Sequence, residues 1–440
     1  MLDKILEALK KRKDLAGWTV RHIVTRGTQV YAVPNAIEAR RAVDGERFVL
    51  DVLRHNQGPD GAPGVGNGDA TLLPGGDIDE AIDRAALVAG LVSNPVYGLP
   101  GPAPLPDVPL VDAELQKDPA GVMQSVMERT RTAAAKDPAV KLTAAECFSE
   151  LRTTRLVNSR GIDAQQESTR IDVEFVLHAK RGERESETFA EMTRRRVSDL
   201  NIEAVVGERV RHTLDLLEAG APASRQGPVV LRGEALATYL GNDLLTTGVL
   251  QTLGSASEKY AKISNWEVEK SVFRGDVKGD ALTVWANRAM PYGTSSNRFD
   301  EEGLPAERVL LIHENELVTF AAGQRYAEYL GLKPTGDFGG VELPAGATPE
   351  AALLADPHIE IVQFSWFYPD PITGDFATEV RLGYLVENGK RTPFKGGQLV
   401  GNYLDALADV RWSKETTFLG QYLGPQTARF NDLKLAGEDA

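Results

Sequence analysis

Cysteine is almost absent from this sequence. Cys147 is the only one among 440 residues, so no disulfide can form within one chain and no group of thiolates can hold a metal. Cys147 alternates with apolar neighbours in a strand pattern and lacks the flanking residues that activate a nucleophilic thiol. We therefore predict a small core residue at this position.

Long apolar runs are also missing. No stretch approaches the roughly 20 apolar residues of a membrane-spanning helix. The first residues, MLDKILEALKKRK, place Leu2, Ile5, Leu6 and Leu9 on one stripe of an amphipathic helix, without the continuous apolar region or cleavage site of a signal peptide. We expect a cytoplasmic protein that does not act at a membrane.

Positive charge is in deficit as well. The chain has 49 Lys and Arg against 63 Asp and Glu, a net charge of -14, which disfavours a general grip on phosphate backbones. The one basic run, RRR at 194–196, is interpreted as a solvated helix face. Nucleic acid is not the expected partner.

The remaining composition is that of a globular protein. Hydrophobic residues make up 42% and charged residues 25% of the chain, and its length favours two domains. The segment APASRQG has the composition of a linker, so we predict an N-terminal domain over 1–221 and a C-terminal domain over 222–440. The predicted fold class is α+β, with an α/β first domain and a second domain built on a curved, mostly antiparallel sheet or partial barrel.

Helices in the first half are predicted over 78–92, 119–136 and 203–219. Strands are predicted over 17–27, 28–35 and 46–55, and antiparallel strands over 140–180 meet at a turn on Asn158 to Gly161. The glycine-rich stretch 58–77, with its GVGNG, is interpreted as a loop, and the proline-rich stretch 98–112 as an extended surface segment.

The second half is richer in strand and hairpin patterns. Asn388-Gly389 predicts a type I′ turn within one of them, and helices are predicted over about 322–331 and 401–410. The strand or hairpin patterns cover 271–285, 307–320, 359–367 and 379–400.

No complete catalytic motif is present. His313-Glu314 is the only His-Glu pair, and because no second histidine follows at helical spacing, we interpret it as a hairpin turn. There is no G-x-S-x-G nucleophile motif and no cofactor motif. The other histidines are scattered without ligand spacing: His22, His55, His178, His212 and His358.

Several blocks, in order, resemble the TldD/PmbA family. They are RLVNSRGIDAQQEST at 155–169, VVLRGEALATYLG at 229–241, DEEGLPAERVLLIHENELVTF at 300–320, YAEYLGLKPTGDFGG at 326–340, the run from TGDFATEV to NYLDAL at 373–407, and TARFNDLKLAG at 427–437. The resemblance implies a two-part architecture and dimers that enclose a peptide-sized cavity. It also implies one of two subunit types. TldD-type subunits carry a His-Glu-x-x-x-His helix and a late cysteine as zinc ligands, and PmbA-type (TldE) subunits lack them.

Carried over to this chain, the zinc positions of that helix fall on Gly233 and Thr238, and the general base falls on Glu234. The third ligand would come from FLGQYLGPQ at 418–426, which contains no cysteine. Glycine cannot bind zinc and a lone threonine hydroxyl is a poor ligand. We interpret Glu234 as a solvated or capping glutamate near a helix start, and Gly233, Glu234 and Thr238 as a degenerate site.

The resemblance thus implies a non-catalytic PmbA/TldE-like subunit with no metal of its own. It would pair with a TldD-like subunit that holds zinc, and the pair would cleave unfolded or leader peptides. Two alternatives stay open. One is a homodimeric protein that binds peptides or modulates another protein without proteolysis, and the other is a metallopeptidase with an atypical site drawing on His178, His358 or Asp375.

Overall fold

The computed structural model describes residues 1–34, 36–58, 61–241 and 248–438. Its helices are α1 Leu2–Lys11, α2 Ile78–Leu91, α3 Ala113–Lys117, α4 Pro119–Ala134, α5 Ile202–Glu218, α6 Glu234–Tyr239, α7 Val249–Leu253, α8 Ala256–Tyr260, α9 Gln324–Leu330, α10 Glu350–Leu353 and α11 Tyr403–Leu407. Its strands are β1 Gly17–Val33, β2 Ala36–Gln57, β3 Pro63–Leu72, β4 Val140–Asn158, β5 Asp163–Arg181, β6 Arg184–Arg194, β7 Arg225–Arg232, β8 Val284–Asn287, β9 Arg308–His313, β10 Glu316–Leu317, β11 Gly340–Glu342, β12 His358–Phe364, β13 Asp375–Glu387, β14 Lys390–Phe394, β15 Gln398–Asn402, β16 Val410–Trp412, β17 Thr416–Leu419, β18 Tyr422–Pro425 and β19 Thr427–Ala436.

The first half forms one antiparallel sheet in the order β3-β2-β1-β4-β5-β6. Buried and partly exposed residues alternate along β5, as a strand with one covered face requires. The covered face packs against α4 and α5 in one apolar cluster. Cys147 lies fully buried in that cluster, which confirms the prediction of a core residue.

Two predictions about the early strands are wrong. The segments 17–27 and 28–35 are not two paired strands, because β1 runs unbroken from Gly17 to Val33. The loop predicted over 58–77 contains β3, whose glycines recur at every second residue and face α2. A Cβ on Gly66 would lie 1.7 Å from the carbonyl oxygen of Ala89. Glycine is therefore needed here for close packing of helix on strand.

The prediction of a solvated helix face at RRR is also wrong. Arg194 ends strand β6, and both Arg194 and Arg195 are buried. Arg195 donates hydrogen bonds to the carbonyl oxygens of Thr169, Gly293, Thr294 and Ser296 at 2.7–3.0 Å. A guanidinium can be buried in this way because its planar group of donors matches several carbonyls at once. The run joins the first sheet to the second half of the chain.

The second half contains a closed barrel. Strands β7, β19, β15, β13 and β12 pair in that order, and β12 pairs in turn with both β13 and β7. Together with the first sheet, this confirms the predicted α+β class and its curved sheet. The first sheet uses residues up to 194 and the barrel begins at 225, while the domain boundary at 221 stays a prediction.

A separate sheet has the order β10-β9-β8-β11-β18-β17. The hairpin turn predicted at His313-Glu314 is confirmed, since Glu314 and Asn315 have φ of 47° and 77° between β9 and β10. Asn388-Gly389 also turns with positive φ at both residues, as a type I′ turn requires. The strand prediction over 271–285 holds only for its last residues, because β8 begins at Val284.

The predicted helices at 78–92, 119–136, 203–219, 322–331 and 401–410 are present as α2, α4, α5, α9 and α11. Asp77 and Asp118 accept hydrogen bonds from backbone N–H groups at the starts of α2 and α4, which explains where both helices begin. Within the described part of the chain, no helix combines the length and the apolar composition needed to cross a bilayer.

Candidate functional site

The stretch VVLRGEALATYLG forms the predicted strand followed by a helix. β7 ends at Arg232, Gly233 turns the chain with φ 52°, and α6 begins at Glu234. Only glycine adopts this backbone conformation without strain. The helix is held by Tyr239, which is fully buried, stacks on Tyr403 at 4.7 Å between ring centroids and donates a hydrogen bond to the Tyr403 carbonyl oxygen.

One face of α6 lines a cleft of about 440 Å³ between the first sheet and the barrel, a volume within the range of small-ligand sites. We call it the α6 cleft. Its walls come from β6 (189–194), from α6 (Glu234, Ala235 and Thr238), from β12 and the loop after it (362–367) and from the turn between β17 and β18 (419–421), with Arg170, Arg209 and Thr294 completing the lining.

Glu234 is not the solvated or capping glutamate that the sequence predicted. Its carboxylate accepts a hydrogen bond from Arg209 of α5 in a close ion pair. The Arg209 side chain is 6% exposed and that of Glu234 is 38% exposed. Sequence reasoning missed the pair because 25 residues separate its members along the chain. Glu234 therefore links α6 to the first half of the chain.

The electrostatic surroundings of Arg209 are unusual. His212 is buried beside it, with its Nδ1 3.5 Å from Arg209 Nη1. Burial and the neighbouring arginines lower the pKa of His212 to about 3, so this imidazole is neutral at physiological pH. His212 thus adds no charge, and Glu234 is the carboxylate that balances Arg209.

The fold brings two of the three predicted site residues to the α6 cleft, together with the segment expected to supply a third ligand. Glu234 and Thr238 line the cleft, and Leu419 to Gln421 of that segment form part of its wall. Gly233 lies at the junction just before α6 and donates its N–H to the Gln426 carbonyl oxygen. These positions offer no imidazole or thiolate, so the donor set does not fit zinc. Their assignment as a degenerate zinc site stays a prediction.

The residues considered for an atypical metal site are dispersed. His178 on β5 lies 3.7 Å from Glu185, His358 begins β12 with its Nδ1 2.7 Å from the Asp356 carbonyl oxygen, and Asp375 begins β13. Over 1–34, 36–58, 61–241 and 248–438, no three His, Cys, Asp or Glu side chains gather closely enough to hold a metal ion.

Aromatic residues at the mouth of the α6 cleft were not predicted. Trp366 is 45% exposed and stacks on Tyr368 with ring centroids 5.7 Å apart. Phe189, on the opposite wall, is also exposed. The pattern SWFYPDP contains Trp366 and Tyr368, but their exposure follows from the loop after β12 and could not be read from periodicity, and Phe189 lies on β6. Exposed aromatics beside a cleft are typical of binding sites.

Residues 226–437 match the family described as PmbA/TldA metallopeptidase C-terminal domain. This range contains the barrel and α6. The C-terminal half of the chain therefore carries a domain of the PmbA/TldD family. Among curated proteins, an uncharacterised protein of Methanocaldococcus jannaschii is 24% identical over 294 residues. That alignment covers 63% of this chain and 65% of the relative, so the chain spans less than two thirds of the relative's length.

Solved structures share the fold of this protein across nearly the whole chain. TldE of Thermococcus kodakarensis has a TM-score of 0.80 at 18% identity, covering 98% of this chain and 100% of its own. A candidate DNA gyrase modulator of Thermotoga maritima has a TM-score of 0.80 at 18% identity, with 99% and 100% covered. Another, of Bacteroides thetaiotaomicron, has a TM-score of 0.81 at 16% identity, with 99% of both chains covered.

Proposed function

We propose that this chain is a non-catalytic, PmbA/TldE-like subunit that pairs with a TldD-like zinc metallopeptidase in the cytoplasm. The pair would enclose and cleave unfolded or leader peptides. The observation that carries the proposal is the α6 cleft itself. It holds the residues that match the family's catalytic helix, but Thr238 offers only a hydroxyl and the Glu234 carboxylate is held by Arg209.

A catalytic role for Glu234 is disfavoured on chemical grounds. A general base in a zinc peptidase accepts a proton from water made acidic by the metal. Glu234 has no neighbouring imidazole or thiolate among the matched positions, and its carboxylate already accepts a charge-assisted hydrogen bond. The ion pair with Arg209 gives Glu234 a structural role on α6 that does not depend on hydrolysis.

Peptide binding is supported by the walls of the α6 cleft. One wall is β6, an edge strand of the first sheet, whose Phe189 and Thr193 carbonyl oxygens accept hydrogen bonds from Gln363 and Arg194. Sheet edges can hold extended peptides by main-chain pairing without a sequence requirement, and a peptide here would pair with the remaining main-chain groups of β6. At the mouth, Trp366 and Phe189 offer apolar contact to peptide side chains. A partner subunit placed over this mouth would exclude folded proteins and admit an unfolded chain.

The alternative of a homodimeric modulator also has structural relatives. Two of the solved structures with this fold are described as candidate modulators of a DNA gyrase. The net charge of -14 disfavours direct contact with DNA, so such a role would act through protein contacts. It differs from the leading proposal in its partner and in the absence of proteolysis.

A reconstituted peptidase assay tests the proposal. Hydrolysis of an unstructured peptide with added zinc is compared for this protein alone, for a TldD-like protein from the same organism alone, and for the two mixed. We expect hydrolysis to increase on mixing and to stop with a chelator. Size-exclusion chromatography of the same samples distinguishes a heterodimer from a homodimer. Zinc-dependent hydrolysis by this protein alone would contradict the proposal.

A further inference from the structure

Arg194 is a buried cation in the α6 cleft. It ends β6, lines the cleft and is 7% exposed. Its Nη1 donates a hydrogen bond to the Thr193 carbonyl oxygen at 2.8 Å, while its buried Nε has no hydrogen-bond partner in the described structure. Burial lowers the pKa of Arg194, yet a guanidinium stays protonated at neutral pH.

The other two arginines of the α6 cleft each have a carboxylate. Arg170 pairs with Asp172 at 2.8 Å, and Arg209 pairs with Glu234. Across residues 1–34, 36–58, 61–241 and 248–438, no carboxylate lies within ion-pair distance of Arg194. Its charge is therefore the one on the cleft wall that lacks a direct counter-ion within the described chain.

The two carboxylates that act on Arg194 from a distance are already engaged. They are Glu234 and Asp199. Glu234 is held by Arg209, and Asp199 pairs with Arg196 at 2.8 Å. Neither can turn to Arg194 without uncovering another arginine. Burying a guanidinium without a counter-ion is unfavourable, and a carboxylate that arrives with a ligand would offset that cost.

The α6 cleft, with a volume of about 440 Å³, has room for such a ligand beside Arg194. Gly420 also lines the cleft and lies close to the guanidinium, since a Cβ added there would lie 3.6 Å from Arg194 Nη1. Because Gly420 has no side chain, only its backbone faces the guanidinium there. A guanidinium binds a carboxylate through two parallel hydrogen bonds. The aromatic mouth at Trp366 and Phe189 lies on the same cleft.

We propose that Arg194 binds a carboxylate of the peptide held in the α6 cleft, supplied either by an acidic side chain or by the peptide's C-terminus. This inference rests on the proposed peptide-binding function and narrows its substrate class to peptides that place a carboxylate in the cleft. Arg194 then anchors the bound peptide, and the position of the carboxylate in the peptide sets its register in the cleft.

Fluorescence anisotropy with three labelled peptides tests this inference on the full chain, alone and mixed with the TldD-like protein. The peptides are an unstructured Gly/Ser/Ala dodecamer with a C-terminal amide, the same sequence with a free C-terminus, and the amide with one internal aspartate. We expect one carboxylate form to bind about tenfold more tightly than the neutral amide. The preferred form identifies the source of the carboxylate.

Variants on β6 distinguish a direct role of Arg194 in binding the carboxylate from a general effect of losing a positive charge on this strand. Arg194→Gln should remove the preference, and Arg194→Lys should keep part of it, because lysine retains charge without the paired donors. Arg184→Gln is the matched control, since Arg184 lies at the other end of β6 and pairs with Glu218. It should leave the preference unchanged. If Arg194→Gln does not fold, the size of the preference that remains in Arg194→Lys is the deciding measurement.

The outcomes distinguish failure of the anchor from failure of the proposed function. Equal binding of all three peptides would overturn the role of Arg194 while leaving peptide binding intact. If no peptide binds, N-acetylglycine is the second probe. If N-acetylglycine raises the thermal midpoint of the wild-type chain but not that of Arg194→Gln, the carboxylate site is supported and the peptide function is refuted. No binding of either kind would refute both.

Discussion

The ion pair between Glu234 and Arg209 provides the sharpest test of the α6 cleft. Breaking a fully buried pair costs about 3–5 kcal/mol and an exposed pair about 0–1 kcal/mol. Because Arg209 is 6% and Glu234 38% exposed in their side chains, we expect Glu234→Gln to cost about 2 kcal/mol. For a chain of 440 residues, that cost lowers the thermal midpoint by about 2 °C.

Differential scanning calorimetry with two further variants completes the test. Glu203→Gln removes an exposed pair with Arg129 and should shift the midpoint by less than about 1 °C. The double variant Arg209→Met with Glu234→Gln should recover part of the lost stability, because it leaves no unpaired buried charge. A midpoint unchanged by Glu234→Gln alone would mean that the glutamate is solvated and that the structural role assigned to it is wrong.

Three other predictions test the fold beyond the ion pair of Glu234 and Arg209. Gly66→Ala should destabilise the protein by about 1–3 kcal/mol in urea unfolding through overlap with the carbonyl of Ala89, whereas Gly45→Ala, with no atom within 4 Å, should cost much less. Arg195→Met should lower stability by about 3 kcal/mol, because it leaves buried carbonyls without donors, whereas a solvated arginine would give almost no change. Burial raises the pKa of Glu302 from 4.5 to about 7, so its folded form holds a proton that the unfolded chain has released. The free energy of unfolding should therefore fall as pH rises from about 4.5 to above 7. Thermal midpoints measured between about pH 5 and 8 should fall less in Glu302→Gln than in the wild-type chain.

Local patterns were enough to predict most elements of the fold. Asn388-Gly389 predicted its turn because the type I′ conformation needs positive φ at both residues, and the helices predicted over 78–92 and 119–136 are present as α2 and α4. The missed strand β3 illustrates the limit. Its alternating glycines carry no apolar periodicity, and their purpose is visible only when α2 lies against them.

The α6 cleft was predictable only through resemblance. The matched blocks led to Glu234 and Thr238, and both line the cleft. Their chemical partners could not be predicted, because Arg209 comes from α5 and Arg194 from the end of β6. The arginine run was interpreted as solvated because charge clusters usually are. Burial of Arg195 depends on carbonyls about 100 residues away, and no local pattern reports such a contact.

The packing of α6 explains why a helix without metal ligands can persist. Tyr239 is buried among the barrel aromatics Phe376, Tyr403 and Phe430, and its loss would open a large cavity. Thr238 and Glu234 lie on the cleft side of the same helix. The core-facing side is therefore constrained by packing, whereas residues on the cleft side can change while the barrel stays intact. Under the proposed function, this arrangement would preserve the surface that a partner subunit and a peptide contact.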